Sequence, residues 1–329
     1  MEIRPLETIT RLNLYDCDLS PDGRMVAAVY QEDEGPYLGI WTTSGCRPLA
    51  ALELAGPYRR PCFSPDGRLL AAAGDGEQVT VWSVPEGQPR FVQDRMGGDP
   101  IVAHAFGPSG ASLAIAQGRQ LSLWSLSGGE CLAGIELPGE ITCLRSSPAA
   151  RLLGVGMLEG GAAVVEWQAL AVTARLDAIP QAVSALCFHP AHPWLLLATA
   201  PTFEVSQGHQ RRLEHGWAEL WDYRARQRVA RVACDYHAVL AGGGHYVATL
   251  TNNSRSLWFW RLGEEPELTA HIENAVPELL VDERGHEVRR VTLAATPAGD
   301  LLAVGSLTRP FSAVGTLRLL AIEAEPVLA

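Results

Sequence analysis

Two stretches near the N-terminus decide the fold: SPDGRMVAAVYQEDEGPYLGIW at 20–41 and SPDGRLLAAAGDGEQVTVW at 64–82. Each begins with a turn in which Pro and Gly supply the backbone angles that a tight reversal needs. Each continues with a short apolar run and ends in a second run closed by Trp. Short apolar runs bounded by turn residues are typical of β-strands, so each stretch predicts a pair of neighbouring antiparallel strands.

The same pattern recurs five more times along the chain. The further turns are GPSGA at 107–111, SPAAR at 147–151, HPAHP at 189–193, AGGGH at 241–245 and TPAGD at 296–300. In six of the seven copies the following strand-like segment ends in Trp, at 41, 82, 124, 167, 221 and 260. A fourth apolar segment is visible in several copies, such as PLAALEL at 48–54.

Four strand-like segments at a period of about 40–54 residues are typical of one blade of a β-propeller. Seven copies predict an all-β, seven-bladed propeller of four-stranded antiparallel blades, forming one domain over residues 1–329. The last copy lacks a good fourth strand, while the segment IRPLETIT at 3–10 precedes the first copy. Pairing 3–10 with 316–322 supplies the missing outer strand, so the N-terminal strand is predicted to close the ring.

The SPDGR turn, the apolar strand after it and the strand ending in Trp resemble the WD40-repeat propellers. The resemblance extends over nearly the whole chain and is strongest in the first two copies. Only Trp221–Asp222 gives the dipeptide after which that family is named, and the Gly-His pair that opens its repeats is not at the expected places. The family's Asp–His–Ser–Trp hydrogen-bond network is therefore expected to be incomplete, as in a divergent bacterial propeller.

The blade seams are consequently expected to depend on apolar packing, with Trp82 and Trp124 lying between neighbouring blades. Trp194 and Trp217 fall outside the repeated blade position. Trp194 is expected on the face that carries the repeated turns. Trp217 is expected to support the insertion that precedes it in the fifth copy.

Extra residues interrupt the repeat at four places. From turn to Trp, the fifth copy takes 31 residues (Pro190 to Trp221), whereas the first four take 16 to 20. The four insertions lie at 31–37, 201–216, 271–287 and 306–315. Successive strands of an antiparallel blade alternate in direction, so second-to-third strand connections and blade-to-blade connections share one face of the ring. All four insertions are predicted to lie on that face.

These loops form the predicted partner-binding site, because binding residues concentrate on loops held by a rigid scaffold. Their aromatic, basic and apolar side chains have the character of interface anchors. The candidates are Tyr37, Phe203, His209, Arg211, Arg212, Leu279, Leu280, Arg309 and Phe311. The alternatives are a solvated charged loop, or side chains that fold back onto their own blades.

Catalytic motifs are missing from the sequence. There is no nucleophile elbow, P-loop, dinucleotide-binding glycine motif or zinc-protease helix motif. All 26 basic residues are Arg, which excludes mechanisms that need a lysine. His189 and His192 are explained by their place in a repeated turn, and the spacing of His209 and His215 is weak support for zinc. No cofactor and no metal are expected, and the seven cysteines are expected to be buried small hydrophobes.

The favoured function is a non-enzymatic scaffold or adaptor that binds a protein partner, as the resemblance also implies. The net charge of −11 argues against a nucleic-acid partner, and no apolar run is long enough for a membrane span, so a cytoplasmic location is expected. The alternative is a propeller hydrolase or lactonase with a metal at the channel mouth, for which Asp16, Asp18 and His104 are the main inward-facing candidates. A third hypothesis is a sensor that binds a peptide or ligand in the channel.

Overall fold

The computed structural model describes residues 1–10, 13–32, 35–54, 58–74, 77–149, 151–206, 209–235, 237–251, 256–263, 265–273, 290–307 and 316–323. Within these ranges the chain is mostly β-strand, and the helical part of them is a single 3-10 turn at Gly242–Gly244. None of the helical structure in these ranges is long and apolar enough to cross a membrane.

Seven four-stranded antiparallel sheets form the ring, one for each predicted blade, which confirms the predicted all-β propeller. The first strand of the chain, β1 (Glu2–Thr10), belongs to the last blade. Blade one consists of β2 (Asn13–Leu19), β3 (Met25–Glu32), β4 (Gly35–Thr42) and β5 (Pro48–Glu53). Blade two consists of β6 (Tyr58–Phe63), β7 (Leu69–Gly74), β8 (Gln78–Ser83) and β9 (Pro89–Asp94). Blade three consists of β10 (Ile101–Phe106), β11 (Ser112–Gln117), β12 (Gln120–Ser125) and β13 (Cys131–Glu136).

The remaining blades repeat this order, with one interruption. Blade four consists of β14 (Ile141–Ser146), β15 (Leu152–Met157), β16 (Ala162–Glu166) and β17 (Val172–Leu176). Blade five begins with β18 (Val183–Phe188) and β19 (Trp194–Thr199), continues with a separate hairpin of β20 (Thr202–Ser206) and β21 (His209–Glu214), and ends with β22 (Gly216–Asp222) and β23 (Gln227–Cys234). Blade six consists of β24 (Ala238–Ala241), β25 (Tyr246–Thr251), β26 (Ser256–Arg261) and β27 (Glu267–Ile272). Blade seven consists of β28 (Arg290–Ala295), β29 (Leu301–Leu307), β30 (Thr316–Glu323) and β1.

The N-terminal strand closes the ring, as predicted. Strand β1 pairs antiparallel with β30, and Ile3 lies opposite Ile322 while Ile9 lies opposite Leu317. The side chain of Ile3 packs on the apolar cluster between blades six and seven, and that of Ile9 packs on the cluster between blades seven and one. The pairing covers the edge of β30 that would otherwise be open to solvent or to another chain.

The apolar core lies in the seams of the ring. The described buried side chains form seven clusters, and each cluster is shared by two neighbouring blades. Trp82 packs against blade one, and Trp124 packs against blade two, which confirms their predicted position. The alternation of side chains along each strand explains this arrangement, because the two faces of one blade contact two different neighbours.

The repeated turn is held by its first residue and by its glycine. The hydroxyl of Ser20 donates to Asp22 Oδ1 at 2.6 Å and accepts the backbone N–H of Met25 at 2.8 Å. The second copy repeats both bonds with Ser64 as the hydroxyl. Gly23 has a φ of 69°, in the left-handed region that other residues rarely adopt. The short SPDGR motif thus specifies one turn geometry at both sites.

Backbone hydrogen bonds distinguish the two faces of the ring. On the loop face, defined by the second-to-third strand and blade-to-blade connections, Arg95 N–H donates to the carbonyl of Glu77 at 2.7 Å. On the turn face, defined by the repeated turns, Val84 N–H donates to the carbonyl of Arg68 at 2.8 Å. Second-to-third strand connections therefore contact blade-to-blade connections on one face, and first-to-second strand turns contact third-to-fourth strand turns on the other, as an antiparallel meander requires.

Candidate functional site

The insertion in blade five is a β-hairpin that stands apart from the sheets of the ring. Strands β20 and β21 pair with each other, while the flanking strands β19 and β22 pair directly across the base of the hairpin. At that base, the side-chain amide of Gln181 donates to the carbonyl of His215 at 3.1 Å, and Trp217 N–H donates to Thr199 Oγ1 at 2.9 Å. The base is therefore fixed, and the ring does not need the hairpin strands for its own pairing.

The excess in blade one has a different form. Strands β3 and β4 are each eight residues long, and their pairing continues to Glu32 opposite Gly35. The predicted loop at 31–37 is thus largely an extension of the two strands. Tyr37 lies on β4 and stacks on Tyr30, with ring centroids 5.8 Å apart. It is half-buried against the seam between blades seven and one, so only part of its ring is available to a partner.

The other predicted anchors cannot be placed at side-chain level. Phe203, His209, Arg211 and Arg212 lie on the described backbone of the blade-five hairpin, but their side chains lie outside the described part of the structure. Four more predicted anchors lie entirely outside the described residues, namely Leu279, Leu280, Arg309 and Phe311. Their role in partner binding stays a prediction.

Trp217, at the base of the hairpin, is covered by an arginine. The guanidinium carbon of Arg231 lies 3.8 Å from the centroid of the indole, which is a cation–π contact. Arg231 also lies 3.1 Å from Glu219 Oε1. The side chain of Trp217 therefore belongs to a cluster on strands β22 and β23.

A second candidate site lies in the channel of the ring. A cavity of about 570 Å³ is lined by the first strands of the blades and reaches the prolines of the repeated turns, so it extends toward the turn face. Those prolines are Pro21, Pro65, Pro108, Pro148 and Pro297. The predicted inward-facing residues Asp16, Asp18 and His104 all lie on its wall.

The acidic side of the channel is partly neutralised. Asp18 lies 3.9 Å from the guanidinium of Arg145 and accepts the backbone N–H of Phe63 at 3.0 Å. Burial raises the pKa of the Asp18 carboxyl to about 6, although Arg145 and the Phe63 N–H favour its charged form. Asp16 accepts a hydrogen bond from the hydroxyl of Thr292 at 2.5 Å, which joins blade one to blade seven.

Burial favours the neutral forms of the imidazole and thiol groups on the channel wall. Burial, and then the charge of Arg60, lower the pKa of His104 to about 4. Burial raises the pKa of Cys62 to about 12, and it also raises the pKa values of Cys143 and Cys187. These thiols are protonated and therefore poor nucleophiles and poor metal ligands. No group of three or more His, Cys, Asp or Glu side chains in the described ranges is arranged to hold a metal ion.

His189 and His192 have the turn role that their spacing predicts. His189 occupies the place that Ser20 and Ser64 hold in other copies, and its Nδ1 accepts the backbone N–H groups of Ala191 and His192. Trp194 stacks on the ring of His192 at 4.4 Å and so lies at the turn face, as predicted.

Four blade tryptophans find polar partners of different kinds. Trp124 Nε1 donates to Ser122 Oγ at 2.9 Å, and Trp221 Nε1 donates to Glu219 Oε2 at 2.9 Å. Trp167 Nε1 donates to a serine of the neighbouring blade, Ser112, and Trp260 Nε1 donates to Thr249 of its own blade. The partner thus varies from blade to blade, while the position of the Trp in the seam does not.

The model of the WD domain, G-beta repeat family matches residues 60–83. This range covers the turn, the apolar strand and the strand ending in Trp of blade two, in a ring of seven four-stranded blades. The chain is a WD40-like β-propeller. Domains of this kind commonly serve as scaffolds for protein interactions, so the fold agrees with the coarse function that the sequence predicted.

Sequence reasoning missed Arg60 and Arg145 as channel residues of this WD40-like propeller. A signal for them exists, because the residues two and four places before each repeated turn lie on the channel wall in several blades. These positions include Asp16, Asp18, Arg60, Cys62, Cys143, Arg145, Cys187 and Thr292. Counting back from the turn would have identified most of the polar lining.

Proposed function

We propose that this WD40-like propeller, as one domain over residues 1–329, is a non-enzymatic scaffold that binds a protein partner on its loop face. The observation that carries the proposal is the β20–β21 hairpin. It is inserted between paired strands, its base is fixed by hydrogen bonds to Thr199 and Gln181, and the blade is complete without it. A feature that the ring does not need for pairing is available for recognition.

The hairpin has the chemistry of an interface. Its sequence combines an aromatic residue, two arginines and a histidine, at Phe203, Arg211, Arg212 and His209. Arginine and aromatic residues are enriched among side chains that contribute most to binding. The acidic residue Glu32 belongs to the extended β3–β4 hairpin on the same face. We propose that Tyr37 and the predicted anchors at 271–287 and 306–315 extend this surface.

Site-specific photo-cross-linking in the native cell tests the proposal. A photoreactive amino acid is placed at position 210 in β21 and, as a control, at position 92 in the outer strand of blade two, where Val92 is exposed. We expect position 210 to cross-link to one protein that co-purifies at fixed stoichiometry, and position 92 not to do so. Equal cross-linking from both positions, or none from position 210, would refute a partner site at the hairpin.

The hydrolase alternative has Asp16, Asp18 and His104 on the channel wall as its candidate residues, although no three such groups of the described ranges are arranged to hold a metal ion. It requires a divalent metal, which these residues would have to bind. Elemental analysis of the protein purified without chelator tests it. A stoichiometric metal that is lost in an Asp16→Asn variant would favour the enzyme over the scaffold.

A further inference from the structure

The central channel contains a guanidinium that is not neutralised by a carboxylate. No Asp or Glu oxygen of the described chain lies within ion-pair distance of Arg60, whereas Arg145 lies 3.9 Å from Asp18. The charge of Arg60 acts on His104 in blade three and on His237 in blade six. Arg60 and both histidines line the channel cavity.

The backbone places Arg60 by an unusual conformation. The pairing of β6 with β7 shifts by one residue between Arg59 and Cys62, which is a β-bulge. Blades one, three, four and five have a bulge at the same level of their first strand. Among these five described bulges, only the one in blade two contains a non-glycine residue in the left-handed region, which is Arg60 with a φ of 56°. Bulges redirect side chains, and left-handed non-glycine residues are uncommon and concentrate at functional sites.

His104 adds a buried group with unused hydrogen-bonding capacity. Its side chain is 5% exposed and lines the same cavity, and backbone groups of Ala71 and Arg60 act on it, but neither Nδ1 nor Nε2 makes a hydrogen bond within bonding geometry. A neutral imidazole offers one donor and one acceptor. Leaving both unmade in a buried position is costly, so a molecule in the channel would be expected to use them.

The channel also restricts what can bind there. Its volume of about 570 Å³ is in the range of small-molecule sites. A guanidinium matches a carboxylate or a phosphate with two parallel hydrogen bonds. Asp18 is paired with Arg145, but the Asp16 carboxylate on the same wall repels further negative charge, so a dianionic phosphate is disfavoured relative to a single carboxylate.

We infer that the channel binds a small organic monocarboxylate, with its carboxylate on the guanidinium of Arg60 and a hydroxyl or amine substituent hydrogen-bonded to His104. The site lies in the ring itself and is independent of the loop-face scaffold function. It opens toward the turn face, so a ligand in the channel and a partner on the loop face do not compete for the same surface.

Saturation-transfer NMR and thermal unfolding of the full chain test this inference. The probes are sodium lactate, sodium acetate and glycine, with inorganic phosphate as the comparison, all at equal ionic strength. We expect lactate or glycine to give a saturation-transfer signal and a concentration-dependent rise in melting temperature, acetate to bind more weakly, and phosphate to have no effect. Arg60→Gln should raise the half-saturating concentration roughly tenfold or more, because a charge-assisted hydrogen-bond pair is lost.

Two further variants make the result specific. Arg24→Gln removes an arginine that is exposed at the turn face outside the channel, and it should leave binding unchanged. Arg60→Lys keeps the charge but not the two-pronged geometry, and it should bind with intermediate strength. No signal from the three carboxylates would mean that water satisfies Arg60 and His104, and the inference would be wrong. Equal binding to wild type and Arg60→Gln, or Arg60-dependent binding of phosphate alone, would overturn it as well.

Discussion

The carboxylate of Glu219 accepts a hydrogen bond of 2.9 Å from the indole Nε1 of Trp221, two residues further along the same strand. Glu219 is buried, and it also lies 3.2 Å from Arg228 and 3.1 Å from Arg231. A buried carboxylate here takes the place of the hydroxyl that Ser122 offers to Trp124 in blade three. The seam thus keeps a partner for the indole N–H although the residue type has changed.

Replacing Glu219 should destabilise blade five, because Glu219 is the hydrogen-bond acceptor of the Trp221 indole N–H. We expect Glu219→Ala to lower the free energy of unfolding by about 2–3 kcal/mol, because the buried Trp221 N–H loses a charged acceptor. Glu219→Gln keeps an acceptor and loses only ion pairs with half-exposed arginines, so it should cost about 1 kcal/mol or less. Urea unfolding measures both. Equal losses for the two variants would show that the ion pairs, not the indole bond, carry the stability.

The seam position of Trp124 predicts a larger effect. Trp124→Ala should cost about 3–5 kcal/mol because it leaves a cavity between blades two and three. Trp124→Phe keeps most of the packing and loses the bond to Ser122, so it should cost about 1 kcal/mol. Leu132→Ala, at a side chain 52% exposed, is the control and should change stability by less than about 0.5 kcal/mol. A Trp124→Ala cost as small as that of the control would contradict the seam assignment.

Asp18 and His104 predict opposite dependences of stability on pH. The pKa of Asp18 is about 6 in the folded chain against an ordinary value of 3.8, so its folded form binds more protons and its contribution to stability falls as pH rises from about 4 to 6. The pKa of His104 is about 4 against 6.5, so its unfolded form binds more protons and its contribution rises over about 4 to 6.5. The two contributions largely offset each other in the wild type.

Single variants separate these contributions in unfolding experiments across that pH range. Asp18→Asn should make the stability of the protein rise more steeply with pH between about 4 and 6 than that of the wild type. His104→Leu should make stability fall with pH over the same window. The exposed Asp94→Asn is the control and should leave the slope unchanged. Parallel curves for all four proteins would show that neither group is perturbed.

Ring closure by β1 predicts that the N-terminal strand is needed for stability. Deleting residues 1–10 should lower the melting temperature sharply, because it exposes the edge of β30 and uncovers two seam clusters. Ile3→Asp should act in the same direction, since Ile3 packs on a seam, whereas Arg4→Asp at an exposed ion pair should have little effect. Unchanged thermal unfolding of the deletion variant would rule out this account of closure.

The blades were predictable from the sequence because each repeat contains a recognisable turn, and six of the seven contain a Trp at the seam position. Ser20, Gly23 and Trp82 act through local geometry and through neighbours that the repeat itself specifies. The closure by residues 3–10 followed from a missing strand at the other end of the chain.

The channel site was only partly predictable, because it depends on groups brought together from different blades. Arg60 lies at a β-bulge and has a left-handed backbone conformation, and no local sequence pattern predicts either feature. The pairing of Asp18 with Arg145 joins positions 127 residues apart in sequence (145 minus 18), on blades one and four. The unsatisfied nitrogens of His104 are a property of its packed surroundings and not of its sequence neighbours.

The binding role of the blade-five hairpin is the central claim, and replacing the hairpin tests it most directly. Residues 201–215 are exchanged for an Asn-Gly turn that joins β19 to β22, and Gly216 is kept because a Cβ there would lie 2.3 Å from the carbonyl oxygen of Thr199. The measurement is the dissociation constant of the partner identified by cross-linking, for wild type and variant, beside their melting temperatures. We predict a melting temperature close to that of the wild type and binding weakened by roughly a hundredfold or more, as expected when an interface loses its main anchors. An unchanged dissociation constant in a fully folded variant would contradict the account.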